Sequence, residues 1–102
     1  MIHEMATIFV KNGDEAPFEN AAYQAAEIFK AARGCLGMHL QRSVENRSKY
    51  LLIIEWSNLE DHMEIFRKSE GFKRWRELVG VYFDKSPNAD HTEICFDFSW
   101  EK

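Results

Sequence analysis

The run Tyr50-Leu51-Leu52-Ile53-Ile54-Glu55-Trp56 is apolar at every position except Glu55. A strand with one wet face alternates polar and apolar residues, so this one has to be covered on both sides. Helical spacing follows. Asn58 stands three residues before Asp61, the spacing of an N-terminal cap. Leu59, His62, Met63 and Phe66 share one face; Ser69-Glu70-Gly71 marks a break; then Phe72, Trp75, Val79, Tyr82 and Phe83 form a second buried stripe with Arg76 beside it. The remaining elements have to be arranged around this strand and helix.

Residues 2–10 read as a strand, with Ile2, Ala6, Ile8 and Val10 on one face and Met5 and Phe9 on the other. A turn at 11–14 leads into a helix, for which Asp14 or Glu15 is the cap, Pro17 lies in the first turn and Gly34 is the C-terminal stop. Its inward stripe is Phe18, Ala21, Ala22, Ala25, Phe29 and Ala32. Residues 37–44 form a second strand, 45–49 a polar hairpin loop and 84–90, with Pro87 and Asn88, a second loop. The last strand is expected over 91–100, where Ile94, Phe96, Phe98 and Trp100 alternate with polar residues or Cys95.

The order β-α-β-β-α-β over a single domain, residues 1–102, is the ferredoxin-like α+β arrangement. Right-handed crossovers give an antiparallel sheet in the order 4-1-3-2, with helices on one face. Cys35 and Cys95 then belong to opposite edges, roughly 14 Å apart across three strand spacings, too far for a disulfide. Two helical regions cover one face of four strands, and strands 1 and 3 are apolar on both. A second copy laid sheet against sheet supplies the cover, so a homodimer through the open sheet face is expected.

The formal net charge is -4 and the basic residues are scattered, which disfavours nucleic acid and anionic membranes as partners. No apolar run approaches the roughly 20 residues of a membrane span, and Met1-Ile2-His3-Glu4 is not the start of a signal peptide, so a cytoplasmic protein is expected.

With these elements in place, a family pattern emerges. Leu51 to Trp56, then Leu59-Glu60-Asp61-His62, Phe66-Arg67, Ser69, Phe72, Trp75-Arg76-Glu77-Leu78, Phe83, Pro87 and His91, together with Gly34-Cys35-Leu36-Gly37, resemble the antibiotic biosynthesis monooxygenase domain superfamily. The resemblance spans nearly the whole chain. It implies a dimeric α+β barrel and a cofactor-free monooxygenase acting on a small aromatic or quinol-like molecule. Heme-degrading relatives use an Asn in strand 1 and a Trp and a His in the second helical region; the matching positions here are Ala6, Phe66 and Arg76, so none is kept. Quinol-type relatives often carry a His pair where this chain has Phe66 and Gly71.

An electron-rich anion can react with dioxygen directly if the protein supplies a dry aromatic cavity, a proton acceptor and a cation near the developing charge. His62 and Arg76 are the candidates for the last two roles. Trp56, Phe66, Phe72, Trp75, Tyr82 and His91 are the candidate substrate-binding residues. Each also has an ordinary structural explanation. A first-turn His often bonds to the backbone, Arg76 could pair with Glu55 or Asp97, and aromatic residues at helical spacing usually form core. Four scattered His residues make no metal set, and no phosphate loop, nucleophile elbow or CxxC motif is present. The competing functional class is a non-catalytic small-molecule binder or sensor on the same scaffold.

Overall fold

A computed structural model describes residues 1–102. Its elements run β1 (Ile2–Phe9), α1 (Glu15–Gln24), α2 (Ala26–Lys30), β2 (Cys35–Arg42), β3 (Lys49–Trp56), α3 (Glu70–Val79) and β4 (Asn88–Thr92). Between β3 and α3 lie a π-helical turn (Asp61–Ile65) and a short 3-10 turn (Phe66–Lys68). The four strands form one antiparallel sheet in the order β2-β3-β1-β4, the order that the crossover argument requires.

Buried residues from one face of the sheet, Ala6, Ile8, Val10, Tyr50, Leu52, Ile54 and Trp56, join Phe18, Ala22, Ala25 and Phe29 of the first helical region and Phe66, Trp75 and Val79 of the second. This is one layer of helix on one layer of sheet. The first helical region meets β3 through Phe18, whose ring lies 4.9 Å from that of Tyr50. The side chains of Met5, Phe9 and Leu51 lie on the opposite face and stay half-buried.

Local chemistry explains several boundaries. Asn58 Oδ1 accepts the Asp61 N–H at 2.8 Å, and Ser69 Oγ accepts the Phe72 N–H at 3.3 Å and so opens α3. Gly34 has φ of 78°, the left-handed region, and an added Cβ would meet the Asp61 side chain; both facts select glycine there.

Three expectations are corrected. The first helix is not continuous, because the chain breaks at Ala25 and restarts as α2. Asp14 stands at the N-cap but makes no side-chain cap bond; Glu15 instead accepts the Gly13 N–H at 3.0 Å. The last strand is 88–92, not 91–100. Residues 88–92 pair with Thr7 to His3, so beyond that point β1 has only Ile2 left, with Met1 before it. The alternating segment after Thr92 therefore has no strand to join in its own chain. Ile94, Phe96, Phe98 and Trp100 are 52–79% exposed, with Phe98 stacked on Trp100. Cys35 and Cys95 are both free thiols.

Candidate active site

A cavity of about 340 Å³ lies between the helices and the covered face of the sheet. That is within the usual size for a small-molecule site. Most of its wall is apolar, with Phe29, Phe66, Phe72, Trp75 and Phe83 the largest groups. Five polar side chains reach it: Glu4, His62, Arg67, Arg76 and His91.

The sheet register brings the first of these together. Glu4 is paired with Ile54 on one side and with His91 on the other. Directly opposed residues point to the same face, so the Glu4 carboxylate and the His91 imidazole both rise toward the helices. His62 comes down from the π-helical turn onto the same spot. Such turns interrupt regular helix at functional positions. Its ring lies flat on Trp56, with centroids 5.1 Å apart and planes at 19°.

The polar groups form a chain. Glu4 Oε1 accepts from Trp56 Nε1–H at 3.0 Å, and His62 Nε2 lies 3.2 Å from the same oxygen. On its other edge, His62 Nδ1 is 2.8 Å from His91 Nε2. Because the carboxylate can only accept, His62 carries its hydrogen on Nε2, and its Nδ1 then accepts from His91 Nε2–H. The outer nitrogen of His91, Nδ1, has no partner in the chain. Since the partners of His62 sit on opposite edges of its ring, the three groups do not face a common point, and no set of three His, Cys, Asp or Glu side chains is placed to hold a metal ion.

Burial shapes the protonation of this chain. Desolvation, with smaller contributions from His91 and Arg67, lowers the His62 pKa to about 4. The 3.2 Å contact with Glu4 is therefore the close approach of a neutral imidazole to a carboxylate, not an ion pair. Desolvation also raises the Glu4 carboxyl, while the Trp56 N–H and the charge of Arg67 pull it back down. Arg67 and Arg76 stand at the rim, each with its guanidinium 6.0 Å from the centre of the Phe72 ring. Neither forms a salt bridge, and Arg76 meets neither Glu55 nor Asp97.

Of the candidate residues, His62, Arg76, Phe66, Phe72, Trp75 and His91 all line this one cavity. Trp56 and Tyr82 do not. Trp56 is fully buried beneath His62 and acts on the site through its indole N–H, while Phe83 takes the lining position next to Tyr82. The sequence reading missed Glu4 and Arg67. Glu4 was visible as the one charge between Ile2 and Ala6 on the inward stripe of β1; nothing distinguished Arg67 from other helical arginines.

The antibiotic biosynthesis monooxygenase family model matches residues 1–78. The chain belongs to this family. YczJ of Bacillus subtilis strain 168, a protein of uncharacterised function, is 37% identical over 91 residues, covering 89% of this chain and 96% of YczJ. A Bordetella bronchiseptica protein assigned to the antibiotic biosynthesis monooxygenases has a crystal structure that superposes with a TM-score of 0.92 at 41% identity, covering 93% of this chain and 97% of that one. SnoaB, a cofactor-independent oxygenase from Streptomyces nogalater with a crystal structure of a mutant form, superposes with a TM-score of 0.79 at 16% identity over 94% of each chain. At that identity the likeness is one of fold alone.

Proposed function

We propose that this chain is a cofactor-independent monooxygenase of a small, electron-rich aromatic hydroxy compound such as an anthrone or a hydroquinone. The observation that carries this reading is the convergence of the His62–His91 pair and Arg76 on one apolar cavity. The imidazoles provide a route for the substrate's proton, and the arginine offsets the negative charge that forms on the substrate oxygen and then on dioxygen. Membership of the family and the shared fold with SnoaB support the same reaction class. For an anthrone the balance closes without a further reductant: the ring CH₂ supplies the electrons, one oxygen atom becomes the new carbonyl and the other leaves as water.

The working unit of this reading is a homodimer. The open sheet face presents the half-buried Met5, Phe9 and Leu51, and the segment after β4 exposes Ile94, Phe96, Phe98 and Trp100. Exposed apolar area of that kind on a 102-residue chain fits a self-association surface.

The test is oxygen consumption with a panel of anthrones and hydroquinones. Uptake by the wild type, reduced about 100-fold in kcat/KM by Arg76→Ala, is the expected result. No uptake with any member would overturn the oxygenase reading and leave a non-catalytic binding protein as the better account of the cavity.

A further inference from the structure

We propose that Glu4, acting through His62 and His91, is where the substrate's proton comes to rest, the three side chains forming a relay whose hydrogen-bond polarity reverses when a proton enters at His91 Nδ1. The identity of the proton donor rests on the oxygenase reading; the relay itself does not.

The steps balance. The substrate's O–H bond (for an anthrone, a C–H bond of the ring CH₂) breaks, its electron pair stays on the substrate as a phenolate or enolate, and an N–H bond forms at His91 Nδ1. His91 Nε2–H passes to His62 Nδ1 across 2.8 Å, and His62 Nε2–H passes to Glu4 Oε1 across 3.2 Å. At the end both imidazoles are neutral, each with its hydrogen moved from Nε2 to Nδ1. Glu4 is a neutral acid whose O–H donates to His62, and the same oxygen still accepts from Trp56 Nε1–H. The Trp56 and His91 hydrogen bonds and the 3.2 Å contact between His62 and Glu4 are all kept; along the relay each donor has become an acceptor or the reverse.

The reason for such an arrangement is charge. A fixed imidazolium at His62, 4% exposed and flat on an indole, is penalised by desolvation. The relay never leaves one there. The cavity begins with one negative charge, on Glu4, and ends with one, on the substrate oxygen. The charge moves from a buried carboxylate toward the rim, where Arg67 and Arg76 stand. Burial of Glu4 makes it the better base for this purpose. The groups facing Glu4 are Trp56 from β3, the Cys35 thiol from β2, His91 from β4, His62 and Arg67 from the segment before α3, and Arg76 across the cavity from α3. None of them is a second carboxylate that would compete for the proton.

Glu4 is thus a positioning residue: it does not touch substrate, but it fixes the hydrogen on each imidazole. The resting protein tests this without substrate. Nitrogen-15 NMR of the wild type at pH 7.5 should show His62 as the neutral Nε2–H form. As pH falls, the first proton bound by the relay should convert His62 to the neutral Nδ1–H form, in step with a protonated-carboxyl infrared band that Glu4→Gln lacks. If His62 keeps its hydrogen on Nε2 while His91 becomes a cation, the relay is wrong, and the wild type alone decides this even if Glu4→Gln fails to fold. With 1,8-dihydroxyanthrone as the probe, Glu4→Gln should lower kcat about 100-fold and change KM by no more than about threefold. Tautomer reversal without oxygen uptake would sink the oxygenase reading and keep the relay. Uptake without reversal would do the opposite.

Discussion

The imidazole of His62 lies parallel to the indole of Trp56, 5.1 Å away, and both rings reach the same oxygen of Glu4. Trp56 from β3 and His62 from the helical turn thus meet at one oxygen on β1. The stack holds the imidazole plane beside Glu4, and the Trp56 N–H hydrogen-bonds a carboxylate whose residue is only 8% exposed.

Trp56→Phe keeps the stacking surface and removes the indole N–H that bonds Glu4. The buried carboxylate is then short of a partner, at a cost of about 1–3 kcal/mol. Urea unfolding at pH 7.5 should show this loss. Glu4→Gln in the same background should recover part of it, since a neutral amide needs the donor less.

Stability should depend on pH through the same residues. The unfolded chain takes a proton at His62 below its ordinary value of 6.5, the folded chain only below about 4. The unfolded state binds more protons in between, so stability falls as pH drops through that window, by at most about 3 kcal/mol. Glu4 acts in the opposite sense. Its raised carboxyl takes up a proton in the folded state before the unfolded chain does, which offsets part of the loss. Unfolding measured from pH 7 to pH 4 should slope downward in the wild type and be flatter in His62→Gln.

Gly34→Ala places a methyl group against Asp61 at a φ of 78°. The backbone alone costs about 1–2 kcal/mol, and the displacement of a buried aspartate adds to it. Thermal melting should show a lower midpoint than Gly13→Ala. Gly13 also has a positive φ, but nothing occupies the space around it.

Association is tested by Met5→Glu on the open sheet face. The wild type should sediment at twice the 12.0 kDa chain mass at micromolar concentration, and the variant should sediment as a single chain. A wild type that sediments as a monomer would remove the dimer from the proposed function. Since Met5 points away from the cavity, the Glu4–His62–His91 chain should keep its histidine tautomers in the variant.

The strand order, the two helical regions, the Asn58 cap and most of the aromatic lining follow from local pattern, because period, capping and crossover handedness are properties of short segments. That His62, Phe66, Phe72, Trp75 and Arg76 would meet one cavity could be read from their spacing on consecutive helical faces. The placement of β4 could not. Alternation at Ile94 to Trp100 is a better strand signal than Asn88 to Thr92, but register against β1 decided the pairing, and β1 begins at Ile2. The partnership of Glu4 with His91 depends on that register. It joins residues 87 positions apart in the chain, and nothing in the local pattern of either segment specifies which residue of the other it will face. The residue types available to the site were thus determined by the sequence, while the spatial order Glu4, His62, His91 was decided by strand pairing and by the descent of one helical turn onto the sheet.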